Sequence, residues 1–125
     1  MKVFTVELYI KVFTDSFKIS KVSEPGREQV FTATESFTTQ RLLVGQFGIA
    51  ERCLKNAIES VVGKSFIPKS VAVVVHPQEM VEGGLSEIEE RVFMELCLGA
   101  GARKVAVWVG NVLSANEVSK LLENT

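Results

Sequence analysis

Val71-Ala72-Val73-Val74-Val75-His76-Pro77 is the stretch from which the architecture follows. Five consecutive apolar residues, four of them valine, predict a strand buried on both faces, the habit of a parallel strand with helices packed on the sheet. His76-Pro77 is expected to end it, because proline has no N–H to give to a ladder. Upstream, with Pro68 opening the connector, Ile49, Cys53, Leu54, Ala57, Ile58 and Val61 recur at three- and four-residue spacing. That spacing predicts an amphipathic helix, Ile49–Val62. Glu51 and Lys55 lie four apart on its outer side, and Gly63 stands where a left-handed cap is common.

Downstream the same logic repeats. After a Gly83-Gly84 loop, Ser86 and Glu89 have the spacing of a capping box and start a second helix. Its core stripe is read as Ile88, Val92, Phe93 and Leu96, and its end as Gly99 or Gly101. Lys104–Val109 is a further buried strand, and Ser114 with Glu117 caps a last short helix to about Leu122.

The first third alternates with period two, the mark of a half-buried strand. In Val3–Phe13, Phe4, Val6, Leu8, Ile10 and Val12 point one way, and Thr5, Glu7, Tyr9 and Lys11 the other. A polar turn, Thr14-Asp15-Ser16, leads to a second strand, Phe17–Val22. The Pro25-Gly26 turn leads to a third, Gln29–Phe37. Short turns favour an antiparallel meander. Right-handed crossovers then bring the fourth and fifth strands back beside the first. The expected sheet is mixed and five-stranded, in order 3-2-1-4-5, a ribonuclease-H-like α/β motif within a single domain, residues 1–125.

Composition narrows the function classes. A hydrophobic fraction of 46% supports a real core, and 14 basic against 15 acidic residues leave a net charge of −1. No basic stripe of the kind nucleic-acid binders carry is visible. No apolar run approaches the ~20 residues of a membrane span. Glu7 interrupts the N-terminal apolar run too early for a signal-peptide core, so a cytoplasmic protein is expected. Cys53 and Cys97 read as two buried, reduced thiols. With no Cys-x-x-Cys and no His/Cys cluster, neither a metal site nor a cofactor is expected.

About residues 42–115 resemble part of the bacterial actin-like rod-shape-determining family, MreB. The likeness rests on Leu85-Ser86-Glu87-Ile88-Glu89-Glu90-Arg91, followed by Leu98-Gly99-Ala100-Gly101-Ala102-Arg103-Lys104-Val105. Leu42–Leu54 and Val71–Pro77 are similar to the family's segments on either side of its helix. The resemblance implies an actin-like ATPase superfold. It places Glu89 where the family's glutamate orients the attacking water, although a capping box explains the same residue. The family's Asp-x-Gly-Thr phosphate loop has no counterpart in Glu7–Thr14. The second phosphate loop and the adenosine site belong to a domain beyond the matched stretch. After Val109, Gly110-Asn111 replaces the family's Glu-x-Pro.

The expected function is therefore a non-catalytic protein-interaction domain, with a protein partner or a second copy bound. The alternative is a nucleotide or small-molecule site completed by dimerisation. A weaker one is a metal-dependent nuclease using Glu7 with Glu51 or Glu59. Candidate ligand-binding residues are His76 and Gln78, at the carboxyl end of a central strand where α/β folds place ligands, and Glu89. Candidate interface residues are Phe31, Thr34 and Phe37 on an open third-strand edge, and Met80 and Val81 in the inserted loop Gln78–Gly84.

Overall fold

The computed structural model describes residues 4–63 and 69–125. The expected connector at Pro68 and the start of the first strand at Val3 lie outside the described residues. The elements run β1 (Phe4–Phe13), β2 (Ser16–Lys21), β3 (Gln29–Thr32), α1 (Phe47–Val62), β4 (Lys69–Pro77), α2 (Glu87–Gly99), β5 (Lys104–Val107) and α3 (Ala115–Glu123). They form one mixed sheet in order β3-β2-β1-β4-β5. β1 pairs antiparallel with β2, Ile10 opposite Ile19, and parallel with β4, Leu8 opposite Val73.

The sheet is covered on both faces, which is why the valine run of β4 needs no polar alternation. Leu8, Ile10 and Val12 of β1 join Val71, Val73 and Val75 of β4 under α1 and α2, against Leu54, Ile58, Phe93 and Leu96. On the other face Tyr9, Ala72, Val74 and Ala106 pack beneath Val118 and Leu122 of α3. Each fully buried side chain of this size contributes about 1.5–3 kcal/mol. The face of β1 that carries Thr5, Glu7, Tyr9 and Lys11 is thus not simply solvated: Tyr9 is buried under α3.

Both capping boxes form. Ser86 accepts from the Glu89 N–H and Glu89 accepts from the Ser86 N–H, and Ser114 and Glu117 do the same for α3. Gly63 takes the positive φ expected of it, 73°, but with an extended ψ of 177° rather than a left-handed one.

Four expectations are corrected. The third strand stops at Thr32, not Phe37. The Asp15 carbonyl accepts from the Ala33 N–H, and Asp15 Oδ1 accepts from Ser36 Oγ and from the N–H groups of Phe37 and Thr38. The chain leaves the ladder because the β1–β2 turn captures it, and Phe37 then stacks on Phe17 at 5.1 Å between ring centres, fully buried. The fifth strand ends at Val107, two residues before Val109. Ile88 is not in the stripe of α2 and is 78% exposed. It lies roughly 140° round the helix from Phe93, and Phe93, Leu96 and Cys97 are the buried residues. Of the two free thiols, Cys97 is buried but Cys53 is half-exposed.

Candidate functional site

His76 is the penultimate residue of β4, its ring turned toward the α3 side, and its hydrogen-bonding capacity is used up within the chain. The Gly110 carbonyl can only accept, so Nε2, 3.0 Å away, carries the ring proton. Nδ1 is then an acceptor and takes the Tyr9 hydroxyl proton at 2.6 Å. The Tyr9 oxygen in turn accepts the Leu113 N–H at 3.1 Å. Gly110 reaches the histidine by adopting φ 143°, a conformation open to glycine. Burial pushes the His76 pKa down, partly offset by the Gly110 hydrogen bond, with nearby Lys11 pushing it further down. Burial likewise pushes the Tyr9 pKa up. At the strand end where a ligand was expected, the chain's own β5–α3 loop bonds to His76 and Tyr9 through Gly110 and Leu113. Gln78 folds back, its amide donating to the His76 carbonyl at 3.3 Å.

The nuclease candidates are not brought together. Glu7 accepts a hydrogen bond from Ser119 of α3 on one face of the sheet, whereas Glu51 belongs to α1 and lies against Gly99 of α2 on the other. Glu59 is on the exposed side of α1. Among the described residues no three His, Cys, Asp or Glu side chains converge as metal ligands do.

Met80 and Glu89 line one groove. The loop after β4 is pinned to the β1–β2 turn by the Thr14 N–H, which donates to Glu79. It holds Met80 at φ 57°, and Gly83 and Gly84 are also at positive φ. Met80 consequently faces the start of α2 across a groove also lined by Leu42, Leu85, Ile88 and Val92. The groove is narrow, with room for about 40 Å³, far below the ~300 Å³ at which small-molecule sites begin. Around Ile88 and Val92 it opens into a wider hollow reaching Phe47. Leu42 is 41% exposed, Phe47 37% and Met80 41%, so with Ile88 four large apolar side chains face solvent around one feature. Val81 is half-buried and its carbonyl closes the loop on the Gly84 N–H.

The third-strand edge is placed differently from expectation. β3 is an edge strand, and Val30–Glu35 overhang an open cleft of about 610 Å³ against α1. Phe31 packs partly on the core, Thr34 lies in a bend past the strand end, and Phe37 is inside the protein. Phe37 therefore cannot anchor a partner at this edge, and Thr34 gives no ladder donor. The apolar groove includes two residues singled out from sequence, Met80 and Glu89. Leu42, Phe47 and Ile88 were missed as surface residues. The one signal available was that Ile88 is out of phase with Phe93 and Cys97 on the helix.

No family model matches the sequence. The fold and these surfaces define a three-layer α/β domain that carries an apolar groove between the loop after β4 and α2. Over 102 residues the chain is 34% identical to the uncharacterized protein YjaA of Escherichia coli strain K12, the match covering 78% of each chain. The chain belongs to the family of that protein. Among the described residues no helix is long and apolar enough to cross a membrane.

Proposed function

We propose that this chain is a non-catalytic protein-interaction domain, that its binding surface is the groove between the Met80 loop and α2, and that its ribonuclease-H-like topology marks a relation to actin-like proteins. The observation that carries the interaction role is the clustering of exposed Leu42, Phe47, Met80 and Ile88 around one groove. Scattered apolar residues are ordinary on a protein surface, whereas a contiguous patch marks a surface that another molecule covers. Support for the actin-like relation comes from the sheet order with β4 and β5 parallel to β1 and from the Ser86–Glu89 start of α2. The edge of β3 is the second surface, with Val30 59% exposed. It is only four residues long and its expected anchor Phe37 is buried, so the groove is favoured.

Photo-crosslinking in living cells separates the two surfaces. A benzophenone amino acid at position 88 is expected to give a reproducible protein adduct, one at Val30 weaker adducts, and one at exposed Lys55 none. Equal background at all three positions ends the interaction reading.

A further inference from the structure

We propose that the groove takes a basic, amphipathic segment of a partner protein, its apolar side chains seated between Met80 and Ile88 and its lysines or arginines set against the acidic rim; this rests on the interaction reading above. The rim is the deciding feature. The narrow part of the groove is lined by Glu79 and Glu89 and by no cation. The hollow that continues it adds Glu87 and Glu95 with one cation, Arg91. Arg91 is already engaged by Glu95 at 3.4 Å on the same helix face. Four carboxylates against one paired guanidinium leave a net charge of −3 around an apolar floor, in a chain whose total is only −1.

That balance discriminates among occupants. A second copy docking by two-fold symmetry presents the same patch to itself, which brings one net-acidic rim against another, and like charges facing each other disfavour that pairing. An anionic lipid surface attracts polybasic segments and is repelled by an acidic one. Nucleic acid requires a positive footprint. A basic segment meets both properties of the surface: apolar anchors fill the notch, and charge complementarity raises the rate of encounter and fixes orientation. The narrowness of the notch suits the tip of one leucine- or methionine-sized side chain, as in helix-in-groove recognition with anchors three and four residues apart.

The full chain is titrated with three fluorescent peptides of equal length: a leucine/lysine amphipathic helix, its leucine/glutamate counterpart, and a serine/lysine peptide of the same charge without anchors. The leucine/lysine peptide alone is expected to bind, losing affinity roughly tenfold when ionic strength rises from about 0.05 M to about 0.5 M. Ile88→Asp abolishes binding. The double variant Glu87→Lys with Glu95→Lys reverses preference toward the leucine/glutamate peptide, and Glu59→Lys on α1 changes nothing. Equal binding of the serine/lysine peptide, or no effect of the double variant, overturns the proposal. So does a position-88 crosslink that joins two copies of the chain. A position-88 adduct to another protein, together with failure of the leucine/lysine peptide, removes the basic-segment inference and leaves the interaction role standing. Failure of both experiments removes both.

Discussion

The Tyr9 hydroxyl donates to Nδ1 of His76 at 2.6 Å, joining two adjacent parallel strands across the α3 face of the sheet. Because Nε2 donates to Gly110 and Leu113 donates to Tyr9, the same pair clamps the β5–α3 loop onto the sheet. The arrangement accommodates neutral imidazole only. A proton added at Nδ1 displaces the tyrosine proton, which then has no acceptor in the network.

From this follows a pH dependence of stability. Burial holds the folded-state pKa of His76 below its unfolded value of 6.5. Between those two values the unfolded chain binds more protons than the folded one, so stability increases with pH there. The contribution is complete above about pH 6.5 and diminishes as pH falls below it, levelling off under the folded pKa. The chain has one histidine, so urea midpoints measured between about pH 7 and pH 5.5 report chiefly this group, before the lowered carboxyls of Glu117 and Asp15 come into play. His76→Gln is expected to be less stable at pH 7 and to have a flat profile over that interval. A wild-type midpoint independent of pH there contradicts the assignment.

Tyr9→Phe tests the same network from its other end. The variant keeps the ring that lies nearly parallel to the His76 imidazole, 5.9 Å between centres, and removes only the hydroxyl. His76 Nδ1 then lacks a donor and the Leu113 N–H an acceptor. Leaving such groups unpaired and buried costs about 1–3 kcal/mol, to be measured by denaturant unfolding. Hydrogen exchange at Leu113 is expected to accelerate in parallel, which a general loosening of the core does not produce selectively.

The two thiols are expected to behave differently. Burial pushes the Cys97 thiol up to about 12, and raises Cys53 as well. Only the thiolate is nucleophilic, and Cys97 has no solvent access. A disulfide-exchange reagent at pH 8 is therefore expected to titrate one thiol in the native protein, slowly, and the second only on unfolding. Rapid reaction of both in native conditions places Cys97 outside the core.

Most of the architecture was legible because two periods dominate the chain: two in β1, and three-to-four in α1. The uninterrupted apolar run of β4, Val71 to Val75, then required helices on both faces. The errors arose where one residue's chemistry overrode pattern. Gln29 to Phe37 looks like strand because β-branched and aromatic residues favour strands. Asp15, however, gathers three donors with a single carboxylate oxygen and turns the chain out of the ladder. Those hydrogen bonds also hold the Asp15 carboxyl below the usual range, and a turn-forming aspartate gives no hint of a partner more than twenty residues on. His76 was visible as a strand-end histidine. Its closure by Gly110 was not, because glycine's role there depends on a φ that only the folded loop reveals.

Ile88 and Phe93 supply the sharpest contrast between surface and core on a single helix. Both are large and apolar, five residues apart on α2, yet Ile88 is 78% exposed and Phe93 4%. Ile88→Ser is expected to change unfolding free energy by no more than about 0.5 kcal/mol, as exposed positions do. Phe93→Ala opens a cavity between α2 and the sheet and is expected to cost about 3–5 kcal/mol. Stability and binding thus separate: Ile88→Ser keeps the wild-type denaturation midpoint and loses the position-dependent contacts of the groove. If Ile88→Ser destabilises the protein as much as a core change, Ile88 belongs to the fold rather than to a surface kept free for a partner.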